Sequence, residues 1–260
     1  MRAGDYPFFA PPFLAFAHRG GYVDPSDAAC ENTLAAFSRA VSLGYTYLET
    51  DVHLTRDGVL VAFHDDALDR LIGRHGTIRD VTFAELREHL VGGAEPVPTL
   101  DELFEALPRA RFNIDMKADD TIVPLVVAIR RHSAEDRVCV ASFNSARLVR
   151  FRWLMGARVP TSAGTVGIVS RLIPGLGGVL PGRAVALQVP VTRRVLGRPV
   201  AVLTRQLIAR AHTAGLKVQA WTIDDEDEME RLIEAGVDGL VSNRIDRLKA
   251  VLERRGLWAD

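Results

Sequence analysis

Cysteine is almost missing from this chain. Cys30 and Cys139 are its two examples, and neither falls in a CxxC pair or a Cys/His zinc spacing, which argues against a disulfide framework or a thiolate metal site and suits a reducing cytoplasm. Excess charge is missing too. The formal net charge is −1, so nothing points to a polyanion-binding surface, and nucleic acid is not expected as a partner. No apolar run approaches the ~18 residues that a spanning helix needs. The first twenty residues lack the layout of a signal peptide, because Pro7, Pro11 and Pro12 break their apolar patch. No Ser-, Gly- or Pro-rich linker divides the chain. Lysine is scarce, with 3 Lys against 29 Arg among the 32 basic residues, a bias that carries no mechanism.

What remains is ordinary globular composition, 48% hydrophobic and 25% charged over 260 residues. That length matches the about 250 residues of a single (β/α)8 barrel, although length alone leaves two smaller domains open. Short apolar runs alternate with helical patterns. Strands are expected at 13–18, 45–52, 112–116, 138–142, 159–163, 184–189, 218–223 and 239–242, with an extra extended piece at 59–64 after the Asp57-Gly58 turn. Helices are expected at 32–43, 100–107, 122–132, 145–155, 204–214, 226–235 and 245–254. Thr99 is read as an N-cap, and Gly44, Gly215 and Gly236 as C-terminal stops. Eight strands alternating with helices imply a parallel sheet. The fold expected is α/β, a single TIM (β/α)8-type barrel over 1–260, with a small insertion at about 53–100 between the second and third units. An open doubly wound sheet has the same count and stays open.

In such a barrel, reactive groups gather at the C-terminal ends of the strands. His18 and Arg19 end the first. Glu49 and Asp51, two apart and so on one face, end the second. Asp115 and Lys117 repeat that spacing on the third main strand. His64 follows the extended piece, and Trp221 ends the seventh strand. Three carboxylates converging on one mouth need a cation between them, and an all-oxygen donor set favours Mg2+ or Ca2+. Arg19 and Lys117 add positive charge suited to a phosphoryl group, and two histidines suit proton transfer near neutral pH.

The order His18-Arg19-Gly20, Glu31-Asn32-Thr33, Glu49-Thr50-Asp51-Val52, Thr55-Arg56-Asp57-Gly58, His64-Asp65, then Asp115-Met116-Lys117, Ala220-Trp221-Thr222 and Gly236-Val237-Asp238-Gly239 resembles the signature of the glycerophosphodiester phosphodiesterase family. The likeness runs from about residue 14 to about 250. It implies a metal-dependent hydrolase that splits a glycerophosphodiester into glycerol 3-phosphate and an alcohol. It also implies His18 and His64 as the acid/base pair, Glu49, Asp51 and Asp115 as ligands of one divalent cation, and Arg19 and Lys117 on the phosphate. Trp221 would shape the pocket, and Glu31 and Asn32 would support it. Asp115 departs from the Glu more often found there, and the 21–30 loop is longer than usual.

Plainer readings apply elsewhere. His53, His75, His89, His132 and His212 are read as surface or helix residues, with His53 the one on a strand-face spacing with Asp51. The acidic run 224–228 reads as a helix start rather than a metal site. The apolar stretch 166–180 reads either as a helix broken at Pro174 or as a lip for a lipid tail or a membrane surface. The expected location is the cytoplasm, with peripheral membrane contact only if that lip is real. A lysophospholipase D-like activity and a catalytically silent phosphodiester-binding protein are the alternatives.

Overall fold

The computed structural model describes residues 2–172, 184–195 and 197–258. Its centre is a ring of parallel strands. β1 (Leu14–Tyr22) pairs with β2 (Tyr47–Leu54). The short β3 (Leu60–Ala62) folds back antiparallel onto β2. Two small strands, β4 (Leu90–Val91) and β5 (Glu95–Pro96), form a separate hairpin. The ring continues through β6 (Arg111–Met116) and β7 (Val138–Ala141), and then β8 (Ala186–Val189). A second hairpin, β9 (Thr192–Val195) with β10 (Arg198–Ala201), precedes β11 (Lys217–Ala220) and β12 (Gly239–Arg244). The hydrogen-bonded order is β7-β6-β2-β1-β12-β11-β8.

The gap between β7 and β8 is bridged by residues 160–163. Val140 pairs in parallel with Thr161, and Ser162 with Ala186. This is the expected fifth strand reduced to bridges. Pro160 has no N–H to give a ladder, so it only accepts, from Val140, while Ser162 and Ala163 donate to Val140 and Ala186.

Helices α1 (Leu34–Ser42), α4 (Leu100–Ala106), α5 (Ile122–Arg131), α6 (Ser145–Met155), α7 (Thr165–Leu172), α8 (Arg205–Thr213), α9 (Glu226–Ala235) and α10 (Ile245–Arg254) follow the strands, and two short helices, α2 (Asp69–Ile72) and α3 (Phe83–Arg87), lie between β3 and β4. Side-chain caps set where helices begin. Thr33 accepts from Ala36 N and Thr99 from Glu102 N, each satisfying an amide that the first turn leaves orphaned. Alternation along the strands sorts the core. Ala17, Leu48, Val52, Phe112, Ile114, Val140, Leu187, Val218 and Leu240 face outward into the helices.

Inside the ring, Leu14, Phe16, Tyr47, Cys139, Ala186 and Val241 pack on the N-terminal turns that carry Phe8 and Phe9. Tyr47 donates its hydroxyl to the Phe8 carbonyl at 2.5 Å. The lower barrel is therefore filled with apolar rings, and the polar inward positions are left for the opposite, C-terminal mouth. Residues between β2 and α4 have a small core of their own, including Val61, Phe63, Leu68, Ile78 and Leu86. Among the described residues no helix is long and apolar enough to cross a membrane.

Candidate active site at the barrel mouth

His18, Arg19, Glu49, Asp51, His64, Asp115, Lys117 and Trp221 all line one cleft at the C-terminal ends of the strands. The strand alternation puts them there: His18 is two positions beyond Phe16, Asp51 two beyond Glu49, and Asp115 two beyond Asn113 on the inward face. Parallel register places His18 beside Glu49, and Asp51 beside Asp115. His64 comes from outside the ring. It follows β3, and its carbonyl accepts from His53 Nε2 at 3.1 Å. His53 is thus not a surface residue. It is buried on β2 and ties the segment carrying His64 to the barrel.

Arg19 occupies the left-handed region, with φ 52°. That turn points its amide at Glu49 Oε2, 3.3 Å away, and lets its carbonyl accept from Asn32 N at 2.8 Å. Gly20 follows at φ 89°, where a Cβ would come within 2.7 Å of the Ala36 Cβ and 2.8 Å of its backbone. The glycine is required here by close approach as well as by conformation.

The charged groups form one network. Arg19 Nε lies 3.2 Å from Asp51 Oδ2, and its NH1 lies 3.0 Å from Glu31 Oε1. Asn32 donates to Asp51 Oδ2 at 3.3 Å and accepts from Thr50 at 2.8 Å. Lys117 Nζ stands between Asp51 Oδ1 and Asp115 Oδ2, 2.7 Å from each. No structural partner for Arg19 or Lys117 is obvious in the sequence, and the structure supplies two carboxylates to each. Burial pushes Glu49 well above the ordinary carboxylate range, and the like charge of Asp51 adds to this. Burial would raise Asp51 too, but Lys117 and Arg19 outweigh it and hold it low. Burial lifts Asp115, against the pull of Lys117.

Among the described residues no three His, Cys or carboxylate side chains converge closely enough to hold an ion as they stand; Lys117 occupies the space between two of the acids. The donor set nevertheless fits a hard divalent cation. Asp115 Oδ1 is buried with no hydrogen-bond partner. The connected network also sets five carboxylates (Glu31, Glu49, Asp51, Asp65, Asp115) against three cations (Arg19, Arg70, Lys117). Burial and the crowding of like charge push Glu49 and Asp115 toward the neutral form, a stress that a bound cation would relieve.

Each histidine is held by its Nδ1. His18 Nδ1 lies 2.7 Å from Asn243 Oδ1. The amide orientation follows from its other end, where Asn243 Nδ2 donates to Asp224 Oδ2 at 2.8 Å, since an ionised carboxylate only accepts. His18 therefore donates from Nδ1, and Nε2 is left to the cleft, 3.8 Å from Glu49 Oε2. Burial, with Arg19 beside it, lowers the His18 pKa. His64 Nδ1 lies 2.5 Å from Asp65 Oδ1. Arg70 holds the other oxygen of Asp65 and reaches Glu31 through both terminal nitrogens, at 2.6 and 3.1 Å. Hydrogen bonds from Arg70 and His64 overcome the effect of burial and take the Asp65 pKa down to about 2.

Asn243, Asp224 and Arg70 are absent from the sequence-based site. The acidic run does start a helix, with Asp225 as its N-cap, but Asp224 is separate and binds Ser242, Asn243 and Arg244. Asn243 lies near the C-terminal end of β12, and that position was its one visible signal. Trp221 stacks edge-on with Phe143 at 5.7 Å on the cleft wall. The lip expected at 166–180 falls partly on α7, where Ile168 lines the cleft; residues 173–180 of it lie outside the described residues.

Residues 18–247 match the model of the glycerophosphoryl diester phosphodiesterase family. A probable glycerophosphodiester phosphodiesterase 2 of Mycobacterium tuberculosis is 38% identical over 252 residues, 94% of this chain and 92% of its own. A glycerophosphodiester phosphodiesterase of Caldanaerobacter subterraneus subsp. tengcongensis is 31% identical, covering 94% and 99%. Among solved structures, an Oleispira antarctica phosphodiesterase in complex with the product sn-glycerol-3-phosphate superposes with a TM-score of 0.78 at 26% identity, over 92% of this chain and 96% of that one. A family match over most of the chain, with a TIM-barrel mouth that gathers the signature residues, makes this chain a member of the glycerophosphoryl diester phosphodiesterase family.

Proposed function

We propose that the enzyme hydrolyses a 3-phosphoglycerol diester to glycerol 3-phosphate and an alcohol, with His18 and His64 moving the protons. The observation that carries this reading is that both imidazoles are anchored through Nδ1, leaving Nε2 of each for a cleft that also holds Arg19 and Lys117. The two anchors differ in charge. Asn243 is a neutral acceptor, whereas Asp65 is a carboxylate that stabilises an imidazolium. His18 is accordingly the base and His64 the acid of the first step. His18 Nε2 takes the proton of the attacking hydroxyl as its oxygen bonds to phosphorus. His64 Nε2 gives a proton to the alcohol oxygen as the bond from phosphorus to that oxygen breaks. Arg19 and Lys117 face the phosphate oxygens that carry the developing charge.

Glu49, Asp51 and Asp115 would hold a divalent cation, Mg2+ or Ca2+, whose chemistry is to neutralise a phosphate oxygen and acidify the attacking hydroxyl. Lys117 would then turn from the acids toward the substrate.

A deciding assay is release of glycerol 3-phosphate from glycerophosphocholine with and without EDTA. Release that EDTA stops and added Mg2+ or Ca2+ restores is expected; no release under any metal condition would sink the proposal. The apolar wall of Phe143, Ala163 and Ile168 favours, as a second reading, acyl-bearing substrates. Faster turnover of lysophosphatidylcholine than of glycerophosphocholine would place the enzyme there.

A further inference from the structure

The net charge of −1 conceals a strong segregation. Residues 137–223 contain no Asp or Glu, and carry 12 Arg and 1 Lys. This stretch supplies consecutive segments that leave the ring at the C-terminal mouth: the turn after β7, helix α7 after residues 160–163, and the β9-β10 ribbon after β8. The ribbon is rooted where Val202 N donates to the Val191 carbonyl. All four residues of β10 are exposed, as are Thr192, Arg193 and Arg194 of β9. An isolated two-stranded ribbon is at best marginal in water. Arg193, Arg194 and Arg198 are exposed and have no ion pair among the described residues.

Apolar side chains also stand exposed on the segments that leave this mouth. Phe143 is 58% exposed, Val166 55% and Val169 46%. On α7, Thr165 and Ile168 line the cleft, so Val166 and Val169, one position on from each, face outward next to the cleft rather than into it.

Exposed apolar groups and arginines without ion pairs, both on segments that leave one end of the barrel, in a stretch with no acidic residue, match an anionic lipid surface, where guanidinium groups meet headgroup phosphates and apolar side chains reach the acyl boundary. A nucleic acid would use the arginines but not the valines. We infer that this rim of the barrel mouth docks on membranes containing anionic phospholipid, so that the cleft opens onto the lipid surface. The docking surface does not depend on the reaction proposed above.

The test is co-sedimentation of the full chain with phosphatidylcholine vesicles with or without phosphatidylglycerol, comparing wild type with R193E/R194E/R198E and with V166S/V169S. Wild type should pellet with the anionic vesicles and progressively less as salt rises. Charge reversal should weaken partitioning roughly a hundredfold, at about a fivefold effect per arginine. The valine variant should lose part of the binding, and both variants should turn over a soluble diester at the wild-type rate, which shows them folded. Wild type that stays in solution, variants that pellet equally, or retention of duplex DNA in place of vesicles would each overturn the inference.

Discussion

Asn243 accepts a 2.7 Å hydrogen bond from His18 across 225 residues of chain, and this bond decides which ring nitrogen faces the cleft. Asp224 in turn holds the Asn243 amide. Neither residue lines the cleft, so each would act on the proposed reaction through His18. Asn243→Ala should lower kcat about 10- to 100-fold, the usual cost of removing such an orienting partner, while KM changes little. Steady-state kinetics on glycerophosphocholine would read this split; a variant that loses only KM would show that the bond does not orient the ring.

Replacing His18 or His64 by Ala should each reduce the rate by ~10²-fold or more. A substrate with a good leaving group separates the two. A p-nitrophenyl phosphodiester needs no proton on its departing oxygen, so it should recover most of its rate with His64→Ala and little with His18→Ala. Equal recovery would reverse or abolish the assignment of acid and base.

Asp115→Asn removes one charge from the carboxylate set. A ligand that binds only the folded state raises Tm, so Mg2+ or Ca2+ should stabilise the wild type measurably. The shift should shrink or vanish in the variant when unfolding is followed by calorimetry. This readout does not require turnover.

Asp65 offers a pH signature. Its folded-state pKa is depressed to about 2, chiefly by the Arg70 hydrogen bond, so its ionised form stabilises the fold. That contribution is fully present above the unfolded value of about 3.9 and is lost as pH falls through the folded value. Asp65→Asn should therefore be less stable than wild type at pH 6, with the difference closing between about pH 4 and pH 2. Thermal melts of both proteins across that window provide the measurement.

Gly20→Ala forces a Cβ against Ala36 at a φ of 89°. A loss of about 1–3 kcal/mol is expected for such strain, and at this chain length each kcal/mol lowers Tm by roughly 2–4 °C.

The barrel was readable where periodicity is strong. The strands carrying Phe16, Leu48, Ile114 and Leu240 stand out as short apolar runs between helical patterns, and their ends carried the ionisable pairs. The 159–163 segment is the exception, since Pro160 leaves the apolar pattern intact while removing a ladder donor. The hairpins at 90–96 and 192–201 were unread; strands of two to four residues are too short to show a period. In the site, Glu49 and Asp51 were visible because spacing along one strand sets their direction. Arg70 and Asn243 were not, because their partners Glu31 and His18 lie far away in sequence, and no local pattern records a contact made by folding.

The three-residue ladder of β3 on β2 divides the labour of the mouth. His18 and the three acids stand on the ring itself, whereas His64 arrives on a segment packed around its own small cluster of Val61, Phe63 and Leu68. A lesion confined to that cluster would misplace one imidazole and spare the rest. The outcome would be a properly assembled barrel that keeps the residues proposed to hold cation and phosphate yet turns over slowly, a defect that a binding assay would miss.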